Sequence, residues 1–177
     1  MSDMLVRLYD LPELAPYMER MHAQNVVIRL AELPEFPVVV DWVREHFQDR
    51  WAQEVEGALR TEPVTCYVAT ELQPHAPTGN RYEQPAELLV GFAAYDVSAR
   101  NMFGPTGVRP DYRGRGIGTA LLLACLHAMK AQRYAYAVIG WAGPTTFYAK
   151  TVGATLIEGS EPGIYRGKLV ARAESAE

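Results

Sequence analysis

Hydrophobic positions follow two different spacings along the chain. Residues 87–96 (ELLVGFAAYD) and 134–140 (YAYAVIG) are short apolar runs rich in β-branched and aromatic side chains, which is typical of strands. From Ile117 onward the apolar residues recur at the spacing of a helix with one buried face: Ile117, Leu121, Ala124, Cys125, Ala128 and Met129. Consecutive strands in the earlier part of the chain are followed by a strand, a helix and another strand. This order predicts an α/β fold with a mixed sheet.

The same criteria predict the remaining elements. Two strand-to-helix units begin LVRLYDLPEL (5–14) and VIRLAELPEF (27–36), with Pro12 and Pro34 expected in the first turn of each helix. The other predicted elements are helices over 48–59 and 144–151, strands over 64–70, 102–108, 154–157 and 164–169, and a loop over 72–85. Trp42 and Trp51 are expected in the core, with a place in a ligand pocket as the alternative.

Composition narrows the class of protein. The 177 residues, 49% hydrophobic and 21% charged, predict one globular domain over 1–177. No apolar run reaches the roughly 20 residues of a membrane span, and MSDMLVRLYD lacks a signal-peptide layout, so a cytoplasmic protein is expected. Cys66 and Cys125 are expected to be buried free thiols, and the four histidines show no metal-binding spacing.

Charge is unevenly distributed. The formal net charge is −4, yet residues 109–133 hold five basic residues and one acid, a local charge of +4, which leaves −8 on the other 152 residues. A small cationic patch on an acidic protein favours a small anionic ligand over nucleic acid. From charge alone, a solvated helix face is an equally good interpretation.

The glycines of segment 112–122 (YRGRGIGTALL) lie where the chain passes from a predicted strand into the long predicted helix. A helix start presents free N–H groups and a positive dipole end, and glycine lets a phosphate come close to the backbone. The Walker pattern fails because no Lys follows the glycines. The dinucleotide pattern fails because Gly114, Gly116 and Gly118 give G-x-G-x-G.

Arg113-Gly114-Arg115-Gly116-Ile117-Gly118 fits R-x-x-G-x-G, and the downstream segment 147–154 (FYAKTVGA) fits F-Y-x-K-x-G-[FA]. The sequence thereby resembles the GCN5-related N-acetyltransferase (GNAT) superfamily. The resemblance implies a central, mostly antiparallel mixed sheet flanked by helices, with a cofactor-binding core over 87–169 and an extra element over 1–24. Trp141-Ala142-Gly143 stands where many members carry Asn.

The resemblance also implies where acetyl-coenzyme A binds. Its pyrophosphate would lie on the glycine turn and its pantetheine arm in a splayed cleft between strands ending near Val108 and Gly140. An amide near Gly107 or Val108, freed by a bulge in the irregular segment 103–108 (FGPTGV), would polarise the thioester carbonyl. The implied cofactor-binding residues are Val108, Arg109, Arg113, Gly114, Arg115, Gly116, Ile117, Gly118 and Thr119.

The implied activity is that of an acyltransferase moving acetyl to a primary amine by direct attack. Tyr148 is the candidate general acid for the leaving thiolate. Asp96, Glu87 and Glu45 are weak candidates for the base, and none is selected. A non-catalytic acyl-coenzyme A sensor is the alternative. The expected acceptor is a small-molecule or peptide amine, which the sequence does not identify, and the sequence does not say whether acyl groups other than acetyl are used. It leaves a homodimer open and predicts no metal, nucleic-acid or membrane partner.

Overall fold

A computed structural model describes residues 1–74 and 87–167. Most of the predicted loop over 72–85, His75, and the end of the predicted last strand lie outside the described residues. The strands are β1 (Met4–Arg7), β2 (Val26–Leu30), β3 (Cys66–Leu72), β4 (Glu87–Tyr95), β5 (Met102–Val108), β6 (Tyr136–Ile139) and β7 (Thr155–Leu156). The α-helices are α1 (Ala15–His22), α2 (Phe36–His46), α3 (Asp49–Leu59), α4 (Ile117–Ala131) and α5 (Thr145–Val152).

The seven described strands form one mixed sheet in the order β2-β3-β4-β5-β6-β1-β7. Every neighbouring pair is antiparallel except β5 and β6, which run parallel. Helices cover both faces of the sheet. The predicted α/β class with a mostly antiparallel mixed sheet is therefore confirmed.

Strand β4 shows how the two faces are filled. Ala93 and Tyr95 join the apolar cluster around α4, whereas Phe92 and Ala94 join the cluster built with α2 and α3. Successive side chains point to opposite faces of a strand, so a continuous apolar run is what burial on both sides requires.

Helix α4 is more deeply buried than its sequence spacing predicted. Besides the expected face, Leu122, Leu123 and Leu126 are almost completely inaccessible to solvent. The helix packs on β3, β4 and β5 and is covered by α1 and by the 3₁₀ turn Leu8–Asp10. The prediction of a single buried face was wrong because the first residues of the chain cover the opposite face.

The amino-terminal segment completes the sheet. Strand β1 lies between β6 and β7, with Met4 opposite both Ile139 and Leu156. The expectation for Pro12 was wrong, since α1 begins at Ala15 with a different proline in its first turn. Pro34 lies instead in a 3₁₀ turn, Leu33–Glu35.

The chain end departs from prediction in its described part. A strand was expected from residue 164, but Gly163–Tyr165 forms a 3₁₀ turn. Glycine opens this turn at φ +58°, a left-handed conformation that interrupts extended backbone.

Candidate functional site

A cleft opens where β5 and β6 diverge. The two strands pair only at Met102–Val138 and Phe103–Ile139, while β5 continues to Val108. The space between them, about 630 Å³, is bordered by the starts of α4 and α5 and by α3. The splayed cleft expected from the sequence is present.

A bulge interrupts β5 beside this cleft. Ala93 pairs with Thr106 and Tyr95 pairs with Phe103, so Gly104 and Pro105 together face the single residue Ala94. The predicted irregularity is a β-bulge, which bends the strand at the point where β6 leaves it.

The backbone beyond the bulge presents polar groups to the cleft. Arg109 N–H donates to the carbonyl of Val90 at 2.9 Å, and hydrogen bonds alternate along an antiparallel pair. The N–H and C=O of Val108 therefore point away from β4, and this carbonyl accepts from Arg113 Nε at 3.1 Å. Val108 is placed to contact a bound arm, while the amide of Arg109 is engaged by β4.

The glycine turn ends in an exposed helix start. Gly114 and Gly116 have φ values of +78° and +88°, which residues with a Cβ rarely adopt. Gly116 caps α4, and the first helical bond runs from Ala120 N–H to the Gly116 carbonyl at 3.1 Å. The N–H groups of residues 117–119 consequently have no acceptor within the helix.

Gly118 differs from the other two glycines of the motif because its backbone conformation is that of an ordinary helix. A Cβ added at Gly118 would meet only the Val108 Cγ2 atom, at 3.8 Å, an ordinary contact. Gly118 borders the cleft. Neither packing nor backbone conformation requires glycine here, and the absence of a Cβ leaves the helix start open to close approach of a ligand.

The arginines of the motif point to different places. Arg113 borders the cleft. Arg115 donates to Glu71 Oε1 at 3.1 Å and to the Gln24 carbonyl at 3.3 Å, and Arg109 pairs with Asp111. The described contacts favour Arg113 as the phosphate-binding side chain and give Arg115 a place in the scaffold.

A network that sequence reasoning missed holds the glycine turn. Tyr112 OH and Arg115 both donate to the carboxylate of Glu71 on β3. The hydrogen bond from Tyr112, and then the one from Arg115, lowers the pKa of Glu71. The Arg115 guanidinium also lies 4.8 Å from the centre of the Tyr112 ring. The turn is thereby tied to the sheet.

Tyr148 lies on α5 at the wall of the cleft. It is 7% exposed, and its ring meets Phe103 edge-on at 6.5 Å between ring centres. A tyrosine phenol is protonated at neutral pH, and burial raises the pKa of Tyr148 further. A neutral hydroxyl in this position is able to donate a proton to a group in the cleft.

Three further aromatic side chains line the cleft. Phe47, Trp51 and Trp141 all border the cleft, and the Phe47 and Trp51 rings lie 5.6 Å apart. Trp51 thus takes the alternative role of a pocket residue, while Trp42 packs behind Phe47 against Phe92. A Cβ on Gly107 would lie 2.5 Å from Phe47 Cζ, so this ring covers β5 closely.

The carboxylate in the cleft is one that sequence reasoning did not select. Asp96, in the β4–β5 turn, accepts hydrogen bonds from the Asn101 N–H and the Tyr134 hydroxyl. Glu87 pairs with Arg29, and Glu45 is exposed on α2. Among the described residues that border the cleft, Glu54 is the one acid. Its spacing of three residues from Trp51 on an amphipathic helix was the available signal.

The part of the chain that the structure describes contains no group of three side chains suited to a metal, and none of its helices has the length and apolarity of a membrane span. Cys66 and Cys125 are buried free thiols as predicted. Burial raises the pKa of Cys66 to about 12 and that of Cys125 well above its usual value, which disfavours the nucleophilic thiolate form of both.

Residues 65–151 match the family described as the acetyltransferase (GNAT) domain. This segment is a GNAT domain. It contains the glycine turn, the splayed strands and Tyr148, and the resemblance predicted from 113–118 and 147–154 is confirmed. Comparison with curated proteins gives no match.

Solved structures share the GNAT fold at low sequence identity. The chain is similar to the glucosamine N-acetyltransferase region of a fungal multi-domain GH3 β-N-acetylglucosaminidase, with a TM-score of 0.66 and 14% identity over 88% of the chain. It is also similar to a GCN5-related N-acetyltransferase from Sphaerobacter thermophilus, with a TM-score of 0.59 and 19% identity over 88% of the chain. The chain spans 19% and 48% of those two proteins, respectively.

Proposed function

We propose that this protein transfers an acetyl group from acetyl-coenzyme A to a primary amine, within one domain over 1–177. The observation that carries the proposal is Gly118, a helix-start glycine that borders the cleft and that the fold does not require. Membership of a GNAT family supports acyl transfer in general. The identity of the acyl donor is part of the proposal.

The residues present fit acetyl-coenzyme A. The N–H groups of residues 117–119, with Arg113, would hold the pyrophosphate, and the backbone of Val108 would hold the pantetheine arm. When bound, the donor supplies an activated acyl thioester. Tyr148 would protonate the departing sulfur, because it borders the cleft and its phenol carries a proton at neutral pH.

A non-catalytic sensor would use the same glycine turn, so the turn does not separate the two functions. The buried, protonated Tyr148 beside the opening between β5 and β6 favours the enzyme, since ligand sensing does not need a proton donor there.

Gly118→Asp tests donor binding. A carboxylate at the helix start repels phosphate, yet it complements the helix dipole, so the variant is expected to fold with unchanged or higher stability. Calorimetry should show acetyl-coenzyme A binding weakened about 10- to 100-fold, equivalent to roughly 1.4–2.7 kcal/mol. Gly57→Ala on α3, where a Cβ meets only Val97 at 3.6 Å, is the control. Unchanged affinity in a folded Gly118→Asp protein would remove the assignment.

Tyr148→Phe tests the chemistry. Phenylalanine keeps the packing against Phe103 and removes only the hydroxyl, so kcat with an accepted amine should fall about 10²–10⁴-fold at unchanged donor affinity. Turnover within a few-fold of wild type would make Tyr148 a packing residue. Tight donor binding without transfer to any amine would favour the sensor.

A further inference from the structure

We propose that the acceptor is a small monoamine carried on an apolar ring, and that Glu54 binds its ammonium group and takes up its proton. This inference rests on the proposed acetyl transfer. It is carried by three features of the described cleft lining: one oriented carboxylate, the aromatic side chains of Phe47, Trp51 and Trp141, and uncharged polar side chains that mostly have hydrogen-bond partners already.

The carboxylate of Glu54 is held in place. Its side chain is 19% exposed, and Oε1 accepts from Ser98 Oγ at 3.1 Å and from Arg50 at 3.3 Å. Ser98 belongs to the turn between β4 and β5, so the bond fixes Glu54 relative to the sheet that carries the bulge. A partly desolvated anion attracts an ammonium more strongly than an exposed one.

The aromatic side chains favour a cation with an apolar body. The Arg50 guanidinium lies 5.9 Å from the Trp141 ring, so a positive charge already occupies an aromatic face beside Glu54. Phe47 and Trp51 extend the apolar surface from there toward Gly107 on β5. An amine nitrogen at Glu54 would leave its ring against these side chains.

The remaining polar groups disfavour other amines. A polyamine needs several carboxylates, but Glu54 is the one acid among the described cleft residues. An amino sugar needs partners for its hydroxyl groups. Ser98 already donates to Glu54, and Thr106 donates to the Phe92 carbonyl at 3.1 Å, so apart from Tyr148 it is Gln48 among the uncharged polar side chains of the described cleft lining that is left to bind a hydroxyl group.

The transfer balances with these residues. A carbon–nitrogen bond forms at the acyl carbon and the carbon–sulfur bond breaks. The nitrogen loses two protons: the first passes to Glu54 and then to solvent, and the second restores the proton that Tyr148 gives to the sulfur.

The test compares Glu54→Gln with Glu56→Gln, using 2-phenylethylamine, glucosamine and spermidine as acceptors. Glu56 is the matched control because it lies on the same helix and makes the equivalent four-residue pair with an arginine, Arg60. We expect 2-phenylethylamine to have the highest kcat/KM. Glu54→Gln should lower that value about 10²–10⁴-fold, with acetyl-coenzyme A affinity unchanged. Glu56→Gln should match wild type.

Two results would overturn the inference while acetyl transfer stands. One is a preference for glucosamine or spermidine, and the other is a Glu54→Gln protein that acetylates 2-phenylethylamine as wild type does. If no amine is acetylated, the proposed function fails, and calorimetry of 2-phenylethylamine on the donor-saturated protein decides the site. Binding that Glu54→Gln abolishes supports the ammonium site, and absence of binding overturns it.

Discussion

Gly107→Ala would press a methyl group into the aromatic wall of the cleft. The new Cβ would lie 2.5 Å from Phe47 Cζ, 2.7 Å from Cε1 and 3.0 Å from Cε2. Carbon atoms pack at about 3.5–4.0 Å, so the ring must shift by about 1 Å. Trp42, Trp51 and Phe92 surround the ring with centres 5.6–5.7 Å away, which opposes that shift.

Overpacking of this kind lowers the free energy of unfolding by about 1–3 kcal/mol. Replacing Gly by Ala also reduces the backbone entropy of the unfolded chain, which raises the free energy of unfolding by roughly 0.4–1 kcal/mol. A net loss of about 1–2 kcal/mol is therefore expected. For a protein of this size each kcal/mol lowers Tm by about 2–4 °C. Urea unfolding should show a lower midpoint at an unchanged slope.

A double-mutant cycle with Phe47→Leu isolates the cause. The shorter side chain removes the ring atoms that the methyl group would contact, so Gly107→Ala should cost little in that background, with a coupling energy of about 1–2 kcal/mol. Additive effects, or a Gly107→Ala protein as stable as wild type, would refute the reasoning.

Two further predictions concern the glycine turn. Arg113→Ala should weaken acetyl-coenzyme A binding by about 1.5–3 kcal/mol, and by less at high salt, whereas Arg115→Ala should mainly lower Tm. Equal losses of affinity for the two variants in calorimetry would contradict this separation. The folded-state pKa of Glu71 is depressed, so its contribution to stability is present above its unfolded pKa and is lost as pH falls through the folded value. Tyr112→Phe should therefore destabilise the protein at neutral pH and by progressively less in acid, which Tm measured as a function of pH would show. A decrease in Tm that does not change with pH would mean that Glu71 is not the cause.

Local sequence was sufficient where the determinant is local. The spacing of Gly114, Gly116 and Gly118 predicted the turn and helix start, because positive φ and close ligand approach both depend on single residues. Tyr148 was selected from the resemblance of segment 147–154 to a family pattern, and its catalytic role stays a prediction.

Long-range contacts account for what could not be predicted. Arg113 and Arg115 look equivalent in sequence, and only the position of Glu71 on a distant strand separates them. Glu54 is one acid among several on an amphipathic helix, and its bond to Ser98 depends on how α3 lies against the β4–β5 turn. Nothing in the local pattern of residues 4–7 specifies a place between β6 and β7.

The position of β1 has a consequence for synthesis on the ribosome. Met4 pairs with Ile139, so this strand leaves the ribosome long before its partner exists. At about 5–20 residues per second the wait is about 7–27 s. Strand β6 pairs with β5 at only two residue pairs, so few sheet contacts hold the Tyr148 side of the cleft in place until β1 pairs with β6. The amino-terminal end of the chain is therefore needed to complete the wall of the cleft that is made last.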